Sequence, residues 1–193
     1  MDNKPIKILA INSSHKAEGH TGKLLDLFIN EAKGLGIEIS QINLNREHIH
    51  PFSGILGNKL KHKSKLQREM IEADGFVIAT PTYWFDEPGV LKDFIDSLTP
   101  LEENGFLLEG KVAGFIVYSP EGGETSVLEN LAMTFNQMGV LFVPYSLIFY
   151  RGEEDKWAIT DIKDLAKRLK GQIDAQRLSG LKWDKWKPAK RLN

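Results

Sequence analysis

Three stretches of this chain are apolar almost without interruption, and they limit the available folds more than any other feature. Residues 6–11 (IKILAI), 76–80 (FVIAT) and 111–118 (KVAGFIVY) lack the alternation of a strand with one wet face. Such runs, rich in β-branched residues, belong to strands covered on both sides. Helical periods separate them. Leu24, Leu25, Phe28, Ile29 and Ala32 share one side of a predicted helix, with Thr21 as its N-cap and Gly34 and Gly36 at its end. Leu66, Met70 and Ile71 define a short helix over 64–72, and Leu91, Phe94, Ile95 and Leu98 a helix that places Pro88 at its first position and stops before Pro100. Leu128, Leu131, Ala132, Phe135 and Met138 define another, closed by Gly139, and Ile162, Leu165, Ala166, Leu169 and Ile173 a last one over 161–178.

Two further strands are weaker. Residues 37–44 alternate and carry more polar side chains, and 140–149 contain Pro144, which gives a ladder no donor. Both therefore read as edges. Strand and helix alternate throughout, which predicts an α/β fold: a doubly wound, five-stranded parallel sheet in the order 2-1-3-4-5 with helices on both faces. Residues 1–180 are expected to form one domain, with 181–193 as a tail. In this topology ligands bind beyond the carboxyl ends of the strands, at the switch point between strands one and three.

Composition removes several classes of function. With no cysteine among 193 residues, there is no disulfide, thiolate zinc site, cysteine-ligated iron–sulfur cluster or catalytic thiol. Redox chemistry would need a bound organic cofactor. Lys and Arg total 25 against 26 Asp and Glu, so no global field favours nucleic acid or an anionic membrane. The first apolar run is too short for a signal core or a membrane span, and the expected address is the cytoplasm.

Three loops lie where the topology puts a ligand. The first, NSSHKAEGHTGK after strand one, sets hydroxyls and cations ahead of a helix N-terminus. Unsatisfied N–H groups and the helix dipole attract an anion there, with hydroxyl donors in Ser13 and Thr21 and charge from His15, Lys16 or Lys23. The alternative is an ordinary capped connection. Neither the Walker spacing nor a dinucleotide glycine fingerprint is present. The second, ATPTYWFDEPGV over 79–90, carries three consecutive aromatics suited to framing a planar ring, or else to plugging the core or a subunit interface. The third, YSPEGGET over 118–125, has a glycine pair that permits close backbone approach to a ligand, or serves only as a helix-initiating turn.

These residues resemble a known family. NSSHKAEGHTGKLL is similar to the phosphate loop of flavodoxin-like NAD(P)H-dependent FMN reductases and quinone reductases, and ADGFVIATPTYWFDEPGVLKDFIDSL to their second flavin loop; the likeness runs through SPEGGE. It implies that Ser13, His15, His20 and Thr21 surround an FMN phosphate. It also implies that Pro81, Thr82, Tyr83, Trp84, Phe85, Ser119, Glu121, Gly122 and Gly123 border the isoalloxazine. Asn12 stands for the family's glycine, His15 for its arginine and His20 for its asparagine, in a loop one residue longer. The implied activity passes hydride from NAD(P)H through FMN to a quinone, a nitro or azo compound or another flavin, with no acid–base side chain named and a homodimer or homotetramer as the assembly. A non-enzymatic flavodoxin-type carrier and a cofactor-free regulatory module are the other readings. His48, His50 and His62 suggest a metal site only weakly beside their reading as solvated loop residues, and Trp183 and Trp186 are expected to cover the domain or a second subunit.

Overall fold

The computed structural model describes residues 4–50, 54, 63–152 and 155–180. Strands β1 (Lys7–Asn12), β2 (Glu38–Asn43), β3 (Gly75–Pro81), β4 (Val112–Tyr118) and β5 (Leu141–Tyr150) form one parallel sheet in the order β2-β1-β3-β4-β5. This is the flavodoxin-like order expected from the sequence. Every residue of β3 is buried, as its position at the centre of the sheet requires. Helices α1 (His20–Gly34) and α6 (Lys156–Ser179) cover one face; α2 (Lys65–Glu72), α3 (Gly89–Ser97), α4 (Thr99–Glu103) and α5 (Glu124–Gln137) belong to the other. The sheet thus separates two apolar cores, one around Phe28, Ile116 and Leu165, the other around Phe76, Phe115 and Phe135.

Several boundaries differ from the sequence reading. Thr21 is not the N-cap of α1: Gly19 takes that position, without a side-chain cap, and Thr21 lies buried in the first turn. Pro88 caps α3 rather than opening it; α3 does stop before Pro100, at Ser97, and Pro100 then sits in the first turn of a further short helix, α4, where its missing N–H costs nothing. The last helix begins five residues before the predicted 161, because the Asp155 carboxylate caps it through the Ala158 N–H at 3.1 Å. Ser64 and Gln67 close a reciprocal capping box on α2. Pro144 does lie in an edge strand, where the register with β4 breaks between Ala113 and Phe115 and Tyr145 has φ 59°. The predicted long loop 45–63 opens with a 3₁₀ turn (Leu44–Arg46); most of the remainder, with His62, Trp183 and Trp186, falls outside the described residues.

At the amino end of the sheet, remote from the switch point, Lys111 lies mostly buried and donates to the carbonyls of Ile71 (2.7 Å) and Ala73, the last turn of α2. Burial pushes its ammonium down from 10.5 to about 8, only partly offset by Asp74. A cation whose folded pKa is depressed weakens the fold below that pKa, and the penalty lifts as pH rises toward the unfolded value. Relative to Lys111→Met, the wild-type chain is therefore expected to gain stability between pH 8 and 10.5, by ~3 kcal/mol at most. Parallel urea melts across that range check this; a constant difference between the two proteins would contradict it.

Candidate functional site

The parallel ladders run one step past the strand ends and tie each loop to the neighbouring strand. Ser13 N–H donates to the Ala79 carbonyl (3.0 Å), Thr82 N–H to Tyr118 (3.0 Å) and Ser119 N–H to Tyr150 (3.0 Å). The three predicted loops therefore leave the sheet at one edge, held against one another.

In the first loop the buried side chains work as struts. Ser13 is fully buried, and its hydroxyl donates to Thr80 Oγ1 at 2.7 Å, so it ties β1 to β3 and does not face the loop's open side. Asn12, in place of the family's glycine, staples the loop: its Oδ1 accepts from Ser14 N–H (2.8 Å) and its Nδ2 reaches the Ala17 carbonyl (3.4 Å). That carbonyl lies over Gly22, where a Cβ would stand 1.8 Å from it. Sequence reading missed both roles, because neither an asparagine at a strand end nor a glycine in a helix's first turn announces a long-range contact.

What the loop leaves free is backbone. The N–H groups of His15, Ala17, Glu18, His20, Thr21 and Gly22 take no partner among the described residues, and neither does the hydroxyl of Thr21. Donors on successive residues at a helix start form a concave anion-binding surface. A cavity of about 440 Å³ opens beside it, lined by Lys16, Ala17, Glu18, Gly19 and Arg46. Arg46 was absent from the predicted set. His15 and His20 are exposed, His15 stacked on Tyr83 with ring centroids 5.9 Å apart and His20 on Tyr118 at 4.8 Å. Each histidine thus joins the first loop to an aromatic of another.

The second loop is a tight reversal. Tyr83 and Asp86 exchange backbone hydrogen bonds (2.8 and 3.2 Å), and the two residues between them, Trp84 and Phe85, have φ of 52° and 66°. Positive φ at both central positions is the sense of a type I′ turn, which favours Asn-Gly; here bulky aromatics occupy it at a cost on the order of 1–3 kcal/mol each. Neither plugs the core, since Trp84 is 96% and Phe85 59% exposed. Burial pushes the Glu87 carboxyl up, with help from neighbouring Asp86, whose own carboxyl the Glu87 hydrogen bond holds down.

The third loop holds that turn in place. A Cβ on Gly123, which has φ 92°, would stand 2.5 Å from Phe85 Cα, so the close approach anticipated for the glycine pair is made first to the second loop. Ser119 Oγ lies 2.5 Å from the Gly122 carbonyl and 3.0 Å from Glu124 Oε2, and accepts from Gly122 N–H (3.1 Å) and Thr82 Oγ1 (3.2 Å). Glu124 is buried and receives Arg151 Nε at 2.9 Å; that bond, ahead of the opposing effect of burial, holds its carboxyl below the usual carboxylate range. Glu121 is exposed at the rim. Pro81 ends β3, buried. Away from the loops, His48 and His50 meet edge to face with centroids 4.3 Å apart, and no cluster of three metal-ligating side chains occurs among the described residues.

Residues 6–153 match the family model described as NADPH-dependent FMN reductase. An iron-sulfur flavoprotein of Archaeoglobus fulgidus is 25% identical over 153 residues, covering 75% of this chain and 69% of that protein. An FMN-dependent NADH:quinone oxidoreductase of Coprothermobacter proteolyticus is 33% identical over 133 residues, 58% of this chain and 65% of that one. The crystal structure of RosB with bound 8-demethyl-8-formylriboflavin-5'-phosphate superposes with a TM-score of 0.72 at 17% identity, over 97% of this chain and 95% of that one.

The contact between Gly22 and the Ala17 carbonyl makes the loop's shape sensitive to one methyl group. Gly22→Ala is expected to push the carbonyl away, spoil the concave set of donors and weaken FMN binding at least about tenfold, the scale of one or two lost charge-assisted hydrogen bonds. Fluorescence titration with FMN checks this; unchanged affinity would show that the loop is not the phosphate site.

Proposed function

The chain belongs to the NADPH-dependent FMN reductase family, and on that premise we propose that it passes hydride from NAD(P)H through FMN to a quinone, a nitro or azo compound, or a second flavin. Membership makes it an oxidoreductase with FMN as its cofactor. The donor and acceptor are the proposed part. Bound FMN supplies hydride acceptance and electron release; the protein supplies binding, orientation and exclusion of water.

The observation that supports this reading is the set of free N–H groups from His15 to Gly22 at the switch point, with the Thr21 hydroxyl among them. Their arrangement fits a phosphate monoester dianion, and the crowding at Gly22 fits a cradle with no room for a side chain. From the proposed phosphate site the ring system would extend along the edge bordered by Pro81, Thr82 and the Ser119–Gly123 segment. His15 and His20 would flank the phosphate from their tyrosine partners. In this reading Tyr83, Trp84 and Phe85 shield one side of the ring from water, which accounts for aromatics held at positive φ in an exposed turn. Glu124 acts through Ser119 as a positioning residue: its carboxylate fixes the hydroxyl that holds Gly122 and meets Thr82.

With no cysteine in the sequence, these residues cannot hold an iron–sulfur cluster through thiolates, whereas the Archaeoglobus relative is named an iron-sulfur flavoprotein. The proposed electron path therefore runs through the flavin alone. The purified protein is expected to be yellow, to release FMN on denaturation and to oxidise NADPH or NADH when a quinone is present. Colourless protein that fails to take up added FMN would overturn the reading, and flavin-loaded protein inert toward both nucleotides would overturn its donor.

A further inference from the structure

The resemblance implies an arginine where this loop has His15, and Arg46 lines the cavity beside the loop from another segment. Arg46 ends the 3₁₀ turn after β2 and lines the cavity with Lys16, Ala17, Glu18 and Gly19. Its backbone is well fixed. Leu44 is fully buried, Asn43 Oδ1 accepts from Asn45 N–H at 3.0 Å, and Asn45 Nδ2 donates to the Ser13 carbonyl at 2.9 Å. That last bond pins the end of β2 directly onto the start of the phosphate loop.

Among the described residues, no acid engages Arg46. The adjacent Glu47 is engaged with Lys65 at 2.6 Å. Glu18 is the acid that shares the cavity, and Lys16, also without an ion pair among the described residues, offsets it. Arg46, with a permanently charged fork of donors, thus lines the same cavity as Ala17 and Glu18, whose N–H groups take no partner among the described residues.

Resting on the assignment of FMN to this loop, we propose that Arg46 is a binding residue for the FMN 5'-phosphate and supplies from the end of β2 the guanidinium that the loop lacks at His15. The backbone N–H groups fix the position of the phosphate, and Arg46 neutralises the outward oxygens. An arginine suits this task because its planar fork engages two phosphate oxygens together and keeps its charge at every physiological pH.

Riboflavin, identical to FMN but for the phosphate, isolates the effect. Full-length protein freed of flavin is titrated with FMN and with riboflavin, following flavin fluorescence, for the wild type, Arg46→Ala and Arg46→Lys. The expected result is a fall in FMN affinity of roughly ten- to hundredfold for Arg46→Ala, the range of a charge-assisted bidentate contact, with riboflavin affinity unchanged and a smaller loss for Arg46→Lys. Raising the salt concentration is expected to weaken FMN binding less in Arg46→Ala than in wild type. Equal losses for FMN and riboflavin, or no loss for either, would overturn the proposal. So would an Arg46→Ala protein that keeps FMN but loses flavin adenine dinucleotide, since Arg46 would then serve a second phosphate. Wild-type protein that binds no flavin at all overturns instead the reading on which the proposal rests. Arg46 is exposed, so the thermal midpoint of the unliganded variants is expected to match wild type.

Discussion

The parallel register of β1, β3 and β4 is the constraint from which the site follows. Because the three strands pair in parallel with β3 between the other two, their carboxyl ends open onto the same edge. The next hydrogen bond of each ladder is then made by the loop itself. Ser13, Thr82 and Ser119 each continue the pairing by one residue before the chain turns away. The loops are therefore extensions of the sheet, and their first side chains cross-link it: Ser13 to Thr80, Thr82 to Ser119, and Ser119 to Glu124, which Arg151 holds in turn. Hydroxyls that composition marks as ligand donors are used in part to set the spacing between loops. That leaves the recognition of an anion to backbone N–H groups, whose positions the same cross-links determine.

Strain in the second loop follows from this spacing. Trp84 and Phe85 adopt a conformation suited to glycine or asparagine, and it persists because the surroundings leave little alternative. Phe85's backbone is pressed against Gly123, whose lack of a side chain is what admits it, while Tyr83 and Asp86 close the turn from the other side. Gly123 in turn caps α5, and Glu124, the first residue of that helix, is clamped by Arg151 from the end of β5. The exposed aromatic tip is thus held by a chain of contacts that runs back to the sheet edge. A turn built this way spends conformational energy to present large apolar surface to solvent, which a purely structural reversal would have no reason to do.

The frame was legible from the sequence because both-face burial leaves continuous apolar runs and helical burial leaves a period, and these survive without knowledge of contacts. All seven residues of β3 are buried, and Leu24, Leu25, Phe28, Ile29 and Ala32 do face the core. Local chemistry at the boundaries was less legible. Thr21 has the composition of a cap, but Gly22 lets the Ala17 carbonyl fold over the helix start, so the helix begins at His20 and the threonine is drawn inside. Pro100 reads as a stop, yet in a first turn it is as well suited to starting α4. The site residues chosen by resemblance lie together at the sheet edge, but their division into struts and free groups depends on distances that no one-dimensional pattern carries. Arg46 escaped for the same reason: it lies in a segment without period, which the pairing of Asn43 with Asn12 and the bond from Asn45 to the Ser13 carbonyl bring to the loop.

The first loop departs from the pattern that its resemblance implies, and its substituted side chains have structural work of their own. Asn12 stands where the resemblance implies a glycine, and its side chain is a staple through Ser14 and Ala17. His15 and His20 stand where the resemblance implies an arginine and an asparagine, and their rings stack on Tyr83 and Tyr118, so each ties the first loop to an aromatic of the second or third. In the reading proposed for this chain, holding the phosphate falls to backbone donors and to the cations beside them, and the loop's side chains are freed to hold the aromatic wall. The chemistry attributed to the family needs a fixed phosphate and a shielded ring. Which side chain meets which requirement can change provided the sheet edge that brings the loops together does not.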